Sequence, residues 1–369
     1  SDSAAVRLPD DRVLVIGGDG EDDLVADAEV WDPASAAPHA ALLEARTGHT
    51  TTALPDGRIL RIGGYDDGAL ASAELLDPTT GASAATGSLG EARSRHVSLW
   101  LPDGRVAVIG GRGASDQALA SIEVWDPASG SFSSGGTLEV SRFWHGAVVL
   151  FDGRVLVIGG FTDGDEPLDT AESWDPSDRS VRPAGRLIEP RGVHTVTVLP
   201  DGRVLTTGGY GSGFLASTEL WDAEVGGFAA AAPLTDARGG HTATLLPDGR
   251  VLIMGGLGQD SRALATTELY DPDADAFTSS GSLDQARAIH TATYLGDGRV
   301  LAAGGIDVYS EATPTTEVFS VEEGTFEAAT PLDQARFVHT AAYIGDGRVL
   351  LIGGEDDERS LDSVETWRP

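Results

Sequence analysis

The sequence predicts an all-β protein, a single β-propeller built of four-stranded antiparallel blades. Three observations carry that prediction. A Gly-Gly doublet closes a short apolar run eight times, at Gly17, Gly63, Gly110, Gly159, Gly208, Gly255, Gly304 and Gly353, with spacings of 46 to 49 residues. An Asp-Gly-Arg turn stands before seven of those runs, and Asp11-Arg12 is its variant before the first. A strand-like segment with a Glu follows every doublet, at Glu29, Glu74, Glu123, Glu172, Glu219, Glu268, Glu317 and Glu365. Length alone would suggest two domains. A repeat that fills all 369 residues overrides this and predicts one domain over residues 1–369.

The copy from Arg238 to Leu283 shows each element in order. His241-Thr-Ala-Thr-Leu-Leu246 alternates as a half-buried strand does. Pro247-Asp248-Gly249 then turns the chain, because Gly accepts the positive φ a tight hairpin needs. Arg250-Val-Leu-Ile-Met254 is a continuous apolar run, the mark of a strand buried on both faces. Gly255-Gly256 ends it, and a loop of variable length leads to the third strand, Ala-Thr-Thr-Glu268-Leu-Tyr270-Asp271-Pro272. A short fourth strand around Phe277 completes the sheet.

Counted this way, the chain holds thirty-one strands, since the fourth strand occurs only seven times. Eight blades need thirty-two and seven need twenty-eight. The expectation is eight blades, the last lacking its outer strand. Seven blades is the alternative, but it would leave three apolar strands unpacked, against the energetics of burial.

The doublets, the Arg-x-x-His that opens seven of the first strands (Ala4 to Leu8 being a truncated eighth) and the Glu-x-aromatic-Asp-Pro of the third strand resemble bacterial kelch repeats. They are most similar to those in the propeller of galactose-oxidase-like proteins, over essentially the whole chain. The resemblance implies that the first strand of each repeat lies innermost and the fourth outermost, so a missing fourth strand costs least. It also implies that arginines at the first-strand start can line a ligand face. Those here are Arg46, Arg93, Arg142, Arg191, Arg238, Arg287 and Arg336. They are candidates for a binding ring at a channel mouth. A group repeated in every blade is better explained as holding each blade together, with Arg paired to a third-strand Glu because an unpaired buried charge is costly. The histidines three residues on are expected to be neutral and hydrogen-bonded across strands. Trp31, Trp125, Trp174 and Trp221 read as packing between blades.

Residues that do not repeat carry more functional information, and they gather in the loops after Gly-Gly. Such loops share one end of a rigid scaffold and vary freely. Tyr65, Phe161, Asp163, Asp165, Tyr210, Phe214 and Tyr309 are the candidate binding residues there. No cofactor is expected. Calcium is the ion these loops would suit, through Asp163, Asp165, Glu166 and Asp169 or Asp19, Glu21 and Asp23, although neither run fits the EF-hand pattern.

Composition narrows the function. A formal net charge of −33 repels nucleic-acid phosphates and anionic membrane surfaces. No stretch is long and apolar enough to span a membrane as a helix. The absence of Cys rules out disulfides, thiolate metal sites and thiol nucleophiles. It also excludes the Tyr–Cys copper cofactor that the resemblance to galactose oxidase would otherwise imply. The iron motif of plant kelch-type specifier proteins and the common hydrolase motifs have no counterpart. The expectation is a monomeric, non-catalytic binding propeller, extracellular, at the cell surface or periplasmic, that engages a protein or glycan through its variable loops. An enzyme using loop carboxylates or a metal is the alternative, and a propeller cut from a larger surface protein is a third reading.

Overall fold

The computed structural model describes residues 4–7, 13–19, 24–31, 40, 41, 43, 49–56, 58–65, 68–77, 82–337, 339–345, 348–352, 356, 357 and 364–368. Every regular element among them is a β-strand. They form seven four-stranded antiparallel sheets, a sheet of three strands, Thr340–Gly345, Arg348–Ile352 and Val364–Trp367, and a two-stranded pair, Arg93–Ser94 with Arg112–Gly113. This is the all-β propeller fold that the sequence predicts. In the fourth repeat the strands are Gly146–Val149, Val155–Ile158, Thr170–Trp174 and Val181–Arg186, each paired to the one before.

Contacts gather the chain into two compact units, Ser1–Ser94 with Gly281–Pro369, and Arg95–Ser280. In the second unit the first strands that start at Val97, Gly146, Thr195 and Thr242 lie against one another in turn. In the first unit, Ala4–Arg7 lies between Thr50–Ala53 and Thr340–Gly345.

The core lies between successive sheets. Val155–Ile158 is wholly buried, as its unbroken apolar run requires. One cluster joins Leu101, Ile109 and Ile122 of the third repeat to Val155, Val157 and Trp174 of the fourth. The next joins Leu156 and Ile158 to Val204 and Trp221. The tryptophans at the ends of two third strands, Trp174 and Trp221, lock this seam. Trp174 donates its indole N–H to Gly135 O at 2.8 Å, and Trp221 donates to Ala184 O at 2.8 Å, in each case on the outer strand of the preceding repeat. Buried indole N–H groups require such partners.

A buried ion pair closes each of the fourth to seventh repeats. In the fifth, Arg191 donates through Nη1 to the carbonyls of Gly208 and Ser217, each at 2.8 Å, and through Nη2 to Glu219 Oε1 at 2.8 Å. Glu219 in turn accepts the backbone N–H groups of Ile188 at 2.7 Å and Glu189 at 3.2 Å, on the segment that links the sheet to the one before. Arg142 with Glu172, Arg238 with Glu268 and Arg287 with Glu317 repeat the arrangement. These pairs tie backbone ends that have no ladder partner, so they act as built-in caps.

The first Gly of each doublet meets the opening of the following repeat. At Gly159, φ is 59°, and a Cβ would overlap Arg191 O and stand 2.9 Å from His194 Cε1. Gly159→Ala is therefore expected to lower stability by about 2–4 kcal/mol, through positive φ and backbone overlap together. Gly226→Ala, which has a similar φ of 69° and nothing within 4 Å, isolates the first effect. Urea unfolding of the two variants measures the difference.

Candidate functional site

In each antiparallel sheet, the Asp-Gly turns lie at one strand end and the loops after Gly-Gly at the other. Each loop is held where it begins. Phe161 pairs with Phe143, Tyr210 with Gly192, Leu257 with Gly239 and Ile306 with Ala288 through isolated bridges. The residue after the doublet thus docks on the residue after the repeat's opening Arg. The backbone bonds are short, for example Tyr210 N to Gly192 O at 2.8 Å and the reverse at 2.9 Å. The glycines at two of these positions make room for rings. Phe161 packs directly on Gly192, and Phe214 lies 3.0 Å from where a Cβ of Gly239 would be.

The candidate arginines are placed by the same geometry. Arg93, Arg142, Arg191, Arg238, Arg287 and Arg336 are wholly buried, so their guanidinium groups form no exposed ring. Arg46 lies outside the described residues. Burial lowers His145, His194, His241 and His339 beside them and keeps them neutral. Burial, reinforced by the charges of Arg191 and Arg142, pulls His194 down to about 3, and His241 and His339 are likewise held at about 3. His241 Nε2 meets Thr195 Oγ1 at 3.0 Å and His339 Nε2 meets Thr291 Oγ1 at 3.0 Å, each on the preceding repeat. His145 and His194 differ. The hydroxyl-bearing position is Val97 for one and Gly146 for the other, and neither ring makes a hydrogen bond.

Where the residue just before the His is described, its backbone turns left-handed. Arg95, Trp144, Val193 and Ile289 take φ of 49° to 53° there, and Gly240 takes 60°. Left-handed backbone is uncommon for bulky residues and a genuine outlier for β-branched ones. Each of the four side chains is exposed, and the Trp144 indole retains 45% of its surface. Trp144 stands in a cluster with Phe143 and Phe161, ring centroids 5.5 and 6.3 Å away. The Arg95 guanidinium lies 4.5 Å over the Trp144 ring, and that of Arg112 lies 4.6 Å over Phe143. Each such contact is worth about 0.5–1 kcal/mol at an exposed position.

Of the loop candidates, Phe161 is buried as the floor of this cluster. Asp163 accepts the N–H of Ala118, and Asp165 is exposed 3.9 Å from Arg112. Tyr210 and Phe214 meet edge to face at 5.3 Å, with Tyr210 half-exposed. Tyr65 and Tyr309 are exposed in the other compact unit and make no ring contact with each other. Glu21 and Asp23 lie outside the described residues. Among the described residues no three His, Asp or Glu side chains stand together as a metal cluster. Sequence reasoning missed Arg95, Trp144, Val193 and Ile289. The available signal was their place as the changing residue between a fixed Arg and a fixed His.

Comparison with known proteins agrees on the fold. Residues 145–187 match the Kelch motif. No curated protein matches the sequence. A solved structure entitled "Structure of YjhT" is similar, with TM-score 0.56 and 16% identity over 77% of this chain and 97% of that one. A novel fungal alcohol oxidase of the AA5 family, solved in complex with copper, is similar at TM-score 0.66 and 15% identity over 99% and 96%. The chain resembles the kelch-repeat propellers of the galactose oxidase group. At such identities what is shared is the fold.

The oxidase corrects one expectation. The sequence reading held the chain not to be an enzyme, yet a copper alcohol oxidase carries this same fold over nearly its whole length. The propeller is a scaffold for catalysis as well as for binding. The donor set does not fit copper of that kind, because the chain has no Cys and its repeated histidines lie buried under the first strands.

Proposed function

We propose that the loop end of the Arg95–Ser280 unit is a recognition site, centred on Trp144, for a protein or glycan partner. The observation that carries this reading is the conformation of Trp144. A large aromatic ring is held outward, nearly half exposed, at φ 49°. The fold does not require a ring there, since Gly occupies the equivalent position at Gly240, and strain of this kind costs about 1–3 kcal/mol against about 0.5–1 kcal/mol for the Arg95 contact. An exposed indole stacked under Arg95, with the Val193 N–H donating to its backbone carbonyl at 3.3 Å, offers the rigid amphipathic surface that binding faces use. The kelch match supports the reading, as such propellers commonly present this kind of surface to proteins.

Trp144→Gly tests it. The change removes the ring and relieves the backbone, so the melting temperature is expected to stay level or rise. Binding on arrays of glycans and of neutral or acidic peptides is expected to fall at least tenfold for the ligands the unaltered protein retains. Unchanged array binding would overturn the assignment to Trp144.

A further inference from the structure

A second site lies at the other strand end of the same unit, where the Asp-Gly turns are. A cleft of about 460 Å³ opens there between the fourth and fifth repeats, lined in part by Phe151, Asp152, Arg203, Trp221, Asp222 and Glu224. Two departures from the repeat meet in it. The residue before Asp-Gly is Pro55, Pro102, Pro200 and Pro247 in four repeats and Gly296 and Gly345 in two, but Phe151 here. The third strand runs on as Asp-Pro in five repeats, at Pro33, Pro78, Pro127, Pro176 and Pro272, but as Asp222-Ala223-Glu224-Val225 here. Both changes put apolar surface into solvent at hairpin tips. The Phe151 ring is 76% exposed and Val225 is 80% exposed. The ring stands against the neighbouring turn, 3.5 Å from where a Cβ of Gly202 would be, so one of its faces is backed by backbone.

We infer that this cleft binds a basic peptide segment, with the aliphatic stem of a Lys or Arg laid on Phe151 and its charge between Asp222 and Glu224. Charge complementarity selects this occupant. Asp152 is engaged by Arg154 at 2.7 Å and Asp201 by Arg203 at 2.6 Å, and Arg203 also donates to Pro272 O at 2.9 Å. Those charges are matched. The Asp222 carboxylate accepts only the Glu224 N–H, at 2.7 Å, and neither Asp222 nor Glu224 has an ion-pair partner among the described residues. An aromatic wall beside unmatched carboxylates suits a cation on an apolar stem, which gains from stacking and from charge together. It suits a neutral sugar less, because the donors in the cleft are already used.

Isothermal titration with tetralysine at physiological salt tests the inference, with maltotetraose as the neutral probe. Phe151→Pro restores the residue of the sister turns, so the fold should survive it, and Phe151→Ser serves as a second variant. A single saturable tetralysine site is expected. It should weaken at least tenfold in either Phe151 variant and about fivefold in Glu224→Gln, and remain unchanged in Glu166→Gln at the opposite strand end. Equal binding in all variants would show diffuse attraction to an acidic protein and overturn the site. So would the absence of saturable binding, or a cleft that takes maltotetraose and not tetralysine. Trp144→Gly leaves this titration unchanged if the two sites are separate, so failure here and failure of the loop-end site are distinguishable.

Discussion

Arg191→Met is expected to destabilise the protein by about 3–5 kcal/mol, the range for removing one partner of a buried ion pair. It leaves Glu219 charged in an apolar setting and strips the carbonyls of Gly208 and Ser217 of their donor. Replacing both partners with apolar residues often restores stability in buried pairs. Here it should recover only part. Glu219 also holds the N–H groups of Ile188 and Glu189, and a Met at that position would orphan them. The double variant Arg191→Met with Glu219→Met is thus expected to fall short of the unaltered protein, with a coupling of about 1–3 kcal/mol between the sites. Urea midpoints of the four proteins measure this. A loss below about 1 kcal/mol for Arg191→Met alone would mean that the pair is dispensable.

Acid should begin to destabilise the protein about two pH units above the point at which its carboxylates titrate. His194, His241 and His339 are held at about 3 in the folded chain, against 6.5 when exposed. The depressed values mean that the unfolded chain binds these protons first. Stability is complete above pH 6.5 and drains away as the pH falls toward 3. Each histidine contributes a slope of about 1.4 kcal/mol per pH unit, so the three together remove about 4 kcal/mol per unit. The charges facing them cannot offset this, because Arg191 and Arg142 beside His194, Arg238 beside His241, and Arg336 and Arg287 beside His339 all oppose protonation. Relief of carboxylate repulsion works the other way, but it begins only near pH 4–5 and is screened at the surface. Against a typical total of about 5–15 kcal/mol, unfolding is expected between pH 4 and 5.5. Urea midpoints at pH 7.5, 6.5 and 5.5 provide the check, and a flat profile over that interval would refute the account.

The fold was legible because its determinants are periodic. The Gly-Gly doublets, Asp-Gly turns and third-strand Glu residues each have one physical task, and eight copies of the task leave little room for another topology. The Arg–Glu pairing could be anticipated for a related reason, since a charge placed in a buried strand needs a counter-charge. The recognition surface was less legible. Tyr210, Phe161 and Phe214 stood out as aromatics in variable loops, and the structure brings them beside one another or beside Trp144. Trp144 itself was hidden, because it sits inside the most regular motif in the chain. Nothing in Arg-x-x-His says that its third residue is turned outward through a left-handed backbone. That follows only from the way His145 and Phe143 are both held inward. Phe151 was hidden likewise, as a substituted residue in a turn already explained.

The seams described above also bear on how such a chain lengthens. Gly159 belongs to one sheet but fits beneath Arg191 and His194 of the following repeat, and Trp174 is anchored on the outer strand of the preceding one. A sheet lifted out by itself would carry two half-made joints. Any cut that spans one full period, wherever it starts, brings a complementary joint at each end. Tandem duplication of whole periods therefore conserves every joint, while insertion of a partial period breaks two. The joints, more than the sheets, set the length at which the coding sequence can be copied and still fold, and they keep the spacing of the doublets narrow while the loops between them drift.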